Sequence, residues 1–483
     1  MSETENILTA KVWNLAHVMN NAGVGSGEYV EQVTYLLFLK LDAERAEDGL
    51  ASLLPEECRW AQLAELTGRE LAQHYARTLE TLAAQPGLVG TIFTRARNTI
   101  EEPAHLHRLV RMIGAENWSG FGVDVKGAIY ESLLERTASD TKSGAGQYFT
   151  PRPVIQACVD VVDPKPGQTI CDPACGTAGF LLTAYEHMRQ KPAARDRETG
   201  KKMREEGFTG YDIVAGVARL AAMNLYLHGL GRAEATPIHR ADALLADPGR
   251  RWDVVLTNPP FGRRQSIQVF TGDGEAETER EDYQRPDFNV TTGNKQLNFV
   301  QHIMTVLAPD GVAAVVLPDN VLFEGGAGEK IRRRLLDEFD CHTMLRLPTG
   351  IFYRQGVKAN VLFFEARSRR KEPWTEALWV YDLRTNKRFT LKERPLRYAD
   401  VEEFVRLAKL SDRGSRQETE RFRRFSYADL AARDKLDLNL SWLREDGATD
   451  PASLPPPAEI AASIADDLEA ALARFRVVAA RLG

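Results

Sequence analysis

Two consecutive prolines at the end of an apolar run constrain this chain more than any other feature. In Asp253-Val-Val-Leu-Thr-Asn258-Pro259-Pro260-Phe261-Gly262 the residues Val254, Val255 and Leu256 predict a buried strand. Pro259 and Pro260 end it, because each fixes φ and removes a backbone donor. Asn258 precedes a proline and is therefore held extended at the carboxyl end of the strand, where open α/β sheets bind their ligands. The resulting corner offers an amide, backbone carbonyls and an aromatic ring. These groups suit a planar amino group: the Asn258 oxygen and the Pro259 carbonyl can accept from an exocyclic NH2 while Phe261 stacks on the ring. Read alone, the four residues fit an ordinary Pro-Pro turn as well.

The stretch upstream repeats one pattern, a strand ending in an aspartate. Thr169-Ile-Cys-Asp172-Pro-Ala-Cys-Gly176-Thr177-Ala-Gly179-Phe180 predicts a strand, a tight glycine turn and a helix. Gly176 and Gly179 let a ligand approach backbone N–H groups at the helix start. The spacing is not the dinucleotide G-x-G-x-x-G. Asp172 would repel a pyrophosphate but pairs with an ammonium, which fits the amino-acid end of S-adenosylmethionine. Phe208-Thr-Gly-Tyr-Asp212-Ile213 places a second acid where the next strand of a doubly wound sheet ends, a position that binds ribose hydroxyls. His239-Arg-Ala-Asp242-Ala243-Leu244 supplies a third, placed to accept from an adenine amine. Any single aspartate reads equally as an N-cap or turn residue; three in series before Asn258 point to a methyl-transfer site.

The rest of the chain frames this series. From about Lys11 to Phe121 the apolar spacing is helical, through Val12 to Met19, Tyr35 to Leu41, Leu63 to Leu82 and Leu106 to Ile113. Asp124 to Glu135 reads as a further helix, leading into a glycine-rich link, Ser143 to Pro153, that contains Gln147-Tyr148-Phe149-Thr150. Gly262 to Lys295 is a long polar run of the kind that is mobile or functional, leaving the Asn258 corner in a position to close over a substrate. Val312 to Leu317 is a strand, the glycines before Arg332 form a loop without the phosphate-loop spacing, and Met344–Phe352 with Asn360–Phe364 predict an antiparallel edge pair. Past Arg367 the composition becomes charged and aromatic, with Arg421 to Phe425 reading as a solvated face. Pro455 to Pro457 precede a helix whose stripe of Ile460, Ile464, Leu468, Leu472 and Phe475 suits packing or docking on a partner helix.

The net charge of −6 over 483 residues excludes a chain that holds nucleic acid by bulk electrostatics. Five scattered cysteines fit a reducing cytoplasm, and Cys171 with Cys175 lacks the companion ligands of a metal site. No signal peptide or membrane-spanning run is expected.

In order, GQYFTPRPV, DPACGTAGF, GYDI, ADAL, TNPPFG, VLPDNVLFEGGAGEKIR and LPTGIFY resemble the modification (M) subunit of type I restriction–modification systems, the N6-adenine DNA methyltransferases. The resemblance implies an α/β, Rossmann-like S-adenosylmethionine-dependent methyltransferase sheet over residues 124–366. It further implies an α-helical N-terminal domain over residues 1–123 and a C-terminal extension over 367–483 ending in a partner-docking helix. Asn258, Pro259, Pro260 and Phe261 carry over as the catalytic corner. The cofactor pocket carries over as Gln147, Tyr148, Phe149, Thr150, Asp172, Gly176, Thr177, Gly179, Asp212, Ile213, Asp242 and Ala243, with Asn258 beside it. The family usually has glutamate where Asp212 stands, so this shorter side chain must lie nearer the ribose. The implied chemistry is direct methyl transfer to an adenine flipped out of double-stranded DNA.

The chain shows no Walker motif, nuclease motif or dedicated DNA-reading module. The resemblance therefore implies a separate specificity subunit, a separate restriction subunit and two copies of this chain per complex, in the cytoplasm. Enzymes methylating glutamine or RNA adenine share the Asn-Pro-Pro corner, but the long helical N-terminal region and GQYFTPR favour the DNA enzyme. Against a non-catalytic assembly subunit stand the intact corner and the intact Asp172 turn. A solitary methyltransferase without a restriction motor fits the same residues.

Overall fold

The computed structural model describes residues 26–49, 51–118, 150–232, 234–261, 266–270, 276–280, 283–352, 357–391 and 393–444. The expected helices through Val12 to Met19 and Asp124 to Glu135, the residues Gln147, Tyr148 and Phe149, and the stripe from Ile460 to Phe475 lie outside the described residues.

The strands in chain order are β1 (Ile170–Asp172), β2 (Phe208–Asp212), β3 (Ile238–Arg240), β4 (Trp252–Thr257), β5 (Ser266–Phe270), β6 (Ala276–Arg280), β7 (Leu307–Pro318), β8 (Phe339–Arg346), β9 (Ala359–Ala366), β10 (Ala377–Asp382) and β11 (Phe422–Ser426). Nine of them form one sheet in the order β11-β10-β8-β9-β7-β4-β1-β2-β3, while β5 and β6 form a separate hairpin. β3, β2, β1, β4 and β7 are mutually parallel. β9 is antiparallel to both β7 and β8, and β10 is parallel to β8. A parallel neighbour can be reached only by a crossover of a dozen or more residues. The helices Gly179–Arg189 and Ala215–Leu227 serve β1 to β2 and β2 to β3. The direction of winding reverses between β1 and β4, which places the ends of those two strands on either side of a crevice.

Sequence reasoning paired the last apolar runs correctly but placed them at an edge. β8 and β9 are antiparallel partners, yet β9 lies between β7 and β8, and β10 and β11 continue the sheet beyond them. The all-buried pattern of β9 is what an interior strand requires. Hence the change of composition at Arg367 marks a loop between strands rather than the end of the sheet. β11 takes up the Arg/Phe run, with Phe422 buried and Arg423 and Arg424 exposed. The helix Tyr398–Ala408 returns onto Arg152–Val162, and the Tyr398 hydroxyl donates to Asp160 Oδ2 at 2.6 Å. The polar run after Gly262 contains the β5–β6 hairpin, which its apolar spacing did not announce.

Among the described residues the region before residue 119 is helical throughout. The helix Ser26–Glu47 is buried on nearly every side from Tyr29 to Leu41, as suits an element surrounded by others. Gln32, buried within it, is paired on both sides: its Nε2 donates to the Arg97 carbonyl at 2.8 Å, and its Oε1 accepts from Tyr75 at 3.1 Å. This bundle docks directly on the helix Ala215–Leu227. Phe38 lies 5.7 Å from Phe93 and 5.2 Å from Tyr226 between ring centroids. Arg219 reaches Glu31 at 2.7 Å and the Thr94 carbonyl at 2.5 Å, with Tyr35 beneath its guanidinium. No helix among the described residues is long and apolar enough to cross a membrane.

Phe38→Ala removes a fully buried ring at this junction. It should cost about 3–5 kcal/mol, read as a lowered denaturant midpoint in chemical unfolding.

Candidate active site

The parallel strands leave their last backbone groups without sheet partners at the carboxyl edge, and side chains satisfy them. Asp172 Oδ1 accepts from Ala174 N at 3.0 Å, Asp212 Oδ1 from Val214 N at 2.8 Å and Asp242 Oδ1 from Leu244 N at 2.9 Å. All three acids thus make the same turn, bonding the amide two residues on. Each bond fixes the rotation of its carboxyl group.

Between β1 and the helix Gly179–Arg189 the chain turns sharply. Gly176 adopts φ +54°, and a Cβ there would meet nothing within 4 Å, so it is the left-handed backbone, not want of room, that calls for glycine. Gly179 differs: a Cβ on it would lie 3.1 Å from Ile155 Cδ1, and close helix packing explains its small size. Cys175 N donates to the Tyr211 carbonyl at 2.9 Å, which lays the turn across β2. Asn224, buried on the helix Ala215–Leu227, donates to the Thr177 carbonyl at 3.0 Å.

Electrostatics single out Asp172. It is 1% exposed, and burial pushes its pKa up to about 7, assisted by the nearby Asp212 and opposed by hydrogen bonds from Thr257 and Ala174. Burial also raises the pKa of Asp212, while bonds from the Val214 and Gly176 amides work against it. Beside these two acids Ile213 is 63% exposed, a large apolar side chain facing outward at the same edge.

The corner after β4 is held from three directions. Asn258 Nδ2 donates to the Thr150 hydroxyl at 2.7 Å, and both residues are buried. Gln296 Nε2 donates to the Pro260 carbonyl at 3.0 Å. Phe261 meets Phe352 edge to face, with centroids 5.8 Å apart at 80°. Gln296 sits in the first turn of the helix Lys295–Val306, whose N-cap Asn294 accepts from Gln296 N and Leu297 N and donates to Glu324 at 2.7 Å. Arg332, just after the glycine loop that follows Glu324, is buried and donates to the Val321, Lys435 and Leu436 carbonyls, so its guanidinium serves the protein's own backbone.

On the far side of Asp242 stands a second support that sequence reasoning missed. The Tyr283 hydroxyl donates to Asp242 Oδ2 at 2.8 Å. Arg285, buried, reaches the Ala243 and Leu244 carbonyls at 3.4 and 3.3 Å and His302 Nδ1 at 3.0 Å. Burial and the Arg285 charge push the His302 pKa down to about 3, so the imidazole is neutral and accepts from the guanidinium.

Of the residues singled out from the sequence, the structure brings Thr150 to Asn258 and gathers Asp172, Gly176, Thr177, Asp212, Ile213, Asp242, Ala243 and the Asn258–Phe261 corner at one sheet edge. Comparison with known proteins gives the chain its family. The family model for N-6 DNA methylase matches residues 122–441, and that for the HsdM N-terminal domain matches residues 8–113. The chain belongs to the N-6 DNA methylase family.

Two relatives of this methylase are the StySPI methylase subunit of a type I restriction enzyme from Salmonella potsdam and the EcoKI methylase subunit from Escherichia coli K12. Each is 36% identical over 99% of this chain and 96% of its own length. Among solved structures, the EcoKI M protein aligns over 99% of this chain and 96% of its own with 32% identity and a TM-score of 0.55. A structure concerned with complex assembly and conformational transition of the type I R-M system aligns over 99% and 98% with 28% identity and a TM-score of 0.75. The methylase is thus an N6-adenine DNA methyltransferase of the type I methylase-subunit family, with the mixed α/β sheet of S-adenosylmethionine-dependent methyltransferases.

The raised pKa of Asp172 has a consequence for stability. The folded protein keeps its proton up to about pH 7, whereas the ordinary value is 3.8, so ionisation at Asp172 erodes stability progressively as pH rises between those values. Asp172→Asn removes that loss. Its stability relative to the parent should climb from about pH 4, level off above about pH 7 and reach on the order of 4 kcal/mol, as read from urea midpoints across pH.

Proposed function

We propose that the methylase transfers a methyl group from S-adenosylmethionine to N6 of an adenine flipped out of duplex DNA, at sites chosen by a separate specificity subunit. The observation that carries this reading is the bond between Asn258 and Thr150. It fixes the amide at the end of β4, across the crevice from the buried Asp172 and the Gly176 turn.

The residues fit the cofactor. Asp172 and Asp212 are two acids whose charges oppose each other in a largely buried place, and a cationic ligand relieves that opposition. Asp172 would hold the ammonium and Gly176, Thr177 and Gly179 the amino-acid end, with Gln147, Tyr148, Phe149 and Thr150 packing beside it. Asp212 would accept from the ribose hydroxyls, Ile213 would lie against the adenine, and Asp242 with Ala243 would meet the adenine amine. When bound, S-adenosylmethionine supplies an electrophilic methyl group.

The chain's own part is positioning. The Asn258 side-chain oxygen and the Pro259 carbonyl accept from the target amine and draw its lone pair out of conjugation. Pro260, braced by Gln296, keeps that carbonyl in place, and Phe261, set by Phe352, stacks on the target base. No covalent enzyme intermediate is needed. A base inside the duplex cannot reach this corner, so it must be extruded. The type I context of the relatives supports assembly with a specificity subunit and a restriction subunit, two copies of this chain per methyltransferase complex, and a cytoplasmic location. We assign a helical domain over residues 1–123 and a methyltransferase domain from 124; the boundary expected at 366 moves past β11, because β10 and β11 belong to that domain's sheet, and the residues that follow would dock on a partner.

The deciding experiment is methyl transfer from labelled S-adenosylmethionine to genomic DNA, with the chain alone and with the specificity subunit encoded beside it. Label in N6-methyladenine only in the mixture is expected; label elsewhere, or none in either, sinks the proposal. Asn258→Ala should abolish transfer while calorimetric affinity for the cofactor stays within about twofold, since it removes the acceptor for the target amine and touches the cofactor side only through the Thr150 bond. Cofactor affinity of the parent should fall by up to about tenfold per pH unit below pH 7 as Asp172 takes up its proton, and Asp172→Asn should flatten that dependence at a weaker level.

A further inference from the structure

The segment Arg384-Thr-Asn-Lys387-Arg388-Phe389-Thr390-Leu-Lys-Glu393-Arg394-Pro-Leu396-Arg397 carries six basic residues and one acidic residue, in a chain whose net charge is −6. We propose that this loop is a DNA-backbone contact of the methylase, gripping phosphates beside the flipped adenine. The inference rests on the DNA-methylating activity proposed above.

Its placement comes from the sheet. The loop leaves the carboxyl end of β10, and β10, β8, β7 and β4 all run in the same direction, so it emerges at the edge that holds Asn258. β10 stands four strand spacings from β4 in the sheet order, roughly 19 Å. That span corresponds to about five or six nucleotides of one strand at 3.4 Å each. The loop then folds back toward the corner. Gly350 adopts φ +83°, and a Cβ on it would fall 2.0 Å from the Phe389 carbonyl, so the two backbones touch. Two residues on, Phe352 is the ring that packs on Phe261.

The described residues of the loop are also anchored to the fold. Arg384 donates to both oxygens of Asp319 at 2.7 and 2.9 Å and to the Leu347 carbonyl at 2.9 Å. Thr390 closes a turn by accepting from Glu393 N and Arg394 N at 3.1 and 2.8 Å, and Phe389 and Leu396 are buried beneath. Arg388, Arg394 and Arg397 are left exposed. Arg394 lies 5.5 Å over the Phe389 ring. Among the described residues, neither Lys387, Arg388 nor Arg394 has a carboxylate within ion-pair distance. Basic groups held in place without internal counter-charges suit a polyanion, and on an acidic chain the attraction to phosphates must be local.

The test compares the complex with its specificity subunit, unsubstituted and carrying Lys387→Gln, Arg388→Gln and Arg394→Gln together. Duplex affinity is followed by fluorescence anisotropy from 50 to 300 mM salt. The plot of log K against log salt should become shallower by about 2 to 3, with affinity lost equally on target and non-target duplexes and cofactor affinity unchanged. Arg388→Lys with Arg394→Lys should keep the parent slope. Should the triple variant fail to fold, Arg388→Gln alone carries the test with a change of about one unit. An unchanged slope overturns the surface. So does loss of co-elution with the specificity subunit at unchanged DNA slope, which would make the loop a protein-docking site. Failure of the unsubstituted complex to bind or methylate DNA would instead overturn the activity on which the inference rests.

Discussion

Parallel pairing is the constraint from which the rest of this molecule follows. Because β3, β2, β1, β4 and β7 all run the same way, their carboxyl ends meet at one edge, and each arrives there with backbone groups the sheet cannot satisfy. Asp172, Asp212 and Asp242 meet that need with identical turns onto Ala174, Val214 and Leu244. The turn reading and the ligand reading of these aspartates are therefore not rivals. A carboxyl group that bonds its own turn has lost its rotational freedom, and a group with fixed rotation is what a binding site requires.

The same edge concentrates unfavourable charge. Asp172 is buried with Asp212 near it, and burial raises both pKa values. A fold selected for stability alone would not place two acids there, since a buried carboxylate is costly without a partner. The arrangement makes sense for a cationic ligand, which would relieve the opposition of the two acids. On the other side of the sheet order, charge is handled oppositely: Arg346 pairs with Asp382 at 2.6 Å and Arg384 with Asp319 at 2.7 Å, so those acids are neutralised within the protein, whereas among the described residues no basic side chain pairs with Asp172 or Asp212.

What could be read from the sequence was local. A strand that ends in an acid, a glycine that turns the chain and a proline pair that stops a strand each leave a signature within a few residues, and these placed Asp172, Gly176 and Asn258 correctly at one edge. The supports were hidden for the opposite reason. Tyr283 meets Asp242 across 41 positions and Gln296 meets Pro260 across 36, and although Thr150 was singled out for the cofactor, its bond to Asn258 spans 108. No periodicity marks a single tyrosine or glutamine that acts at such a distance. The β8–β9 pair was legible as a pair, because a short connection forces antiparallel pairing. Its interior place was not, because that depends on β10 and β11, which lie beyond a charged stretch that looked like the end of the domain. Gly179 shows a second demand within the motif: a Cβ there would lie 3.1 Å from Ile155 Cδ1, a packing constraint that the glycine spacing did not announce.

The long-range supports are not scattered. The helix Lys295–Val306 carries Gln296 at its start, His302 in its middle and Thr305 near its end. Gln296 bonds the Pro260 carbonyl, His302 accepts from Arg285, and Thr305 donates to Asp287, which is paired with Arg285. Arg285 in turn reaches the Ala243 and Leu244 carbonyls, and its neighbour Tyr283 bonds Asp242. One rigid helix therefore holds the Asn258 corner and the Asp242 loop at a fixed separation. For in-line transfer between two bound molecules, that separation matters more than the strength of either contact, because an error of about 1 Å between reacting atoms costs on the order of a hundredfold in rate. The polar run after Phe261 leaves the corner, passes through the β5–β6 hairpin and rejoins this helix by way of Tyr283 and Arg285. Tyr283, Arg285 and Asp287, the described residues that follow the hairpin, are thus tied to the parts that must not move.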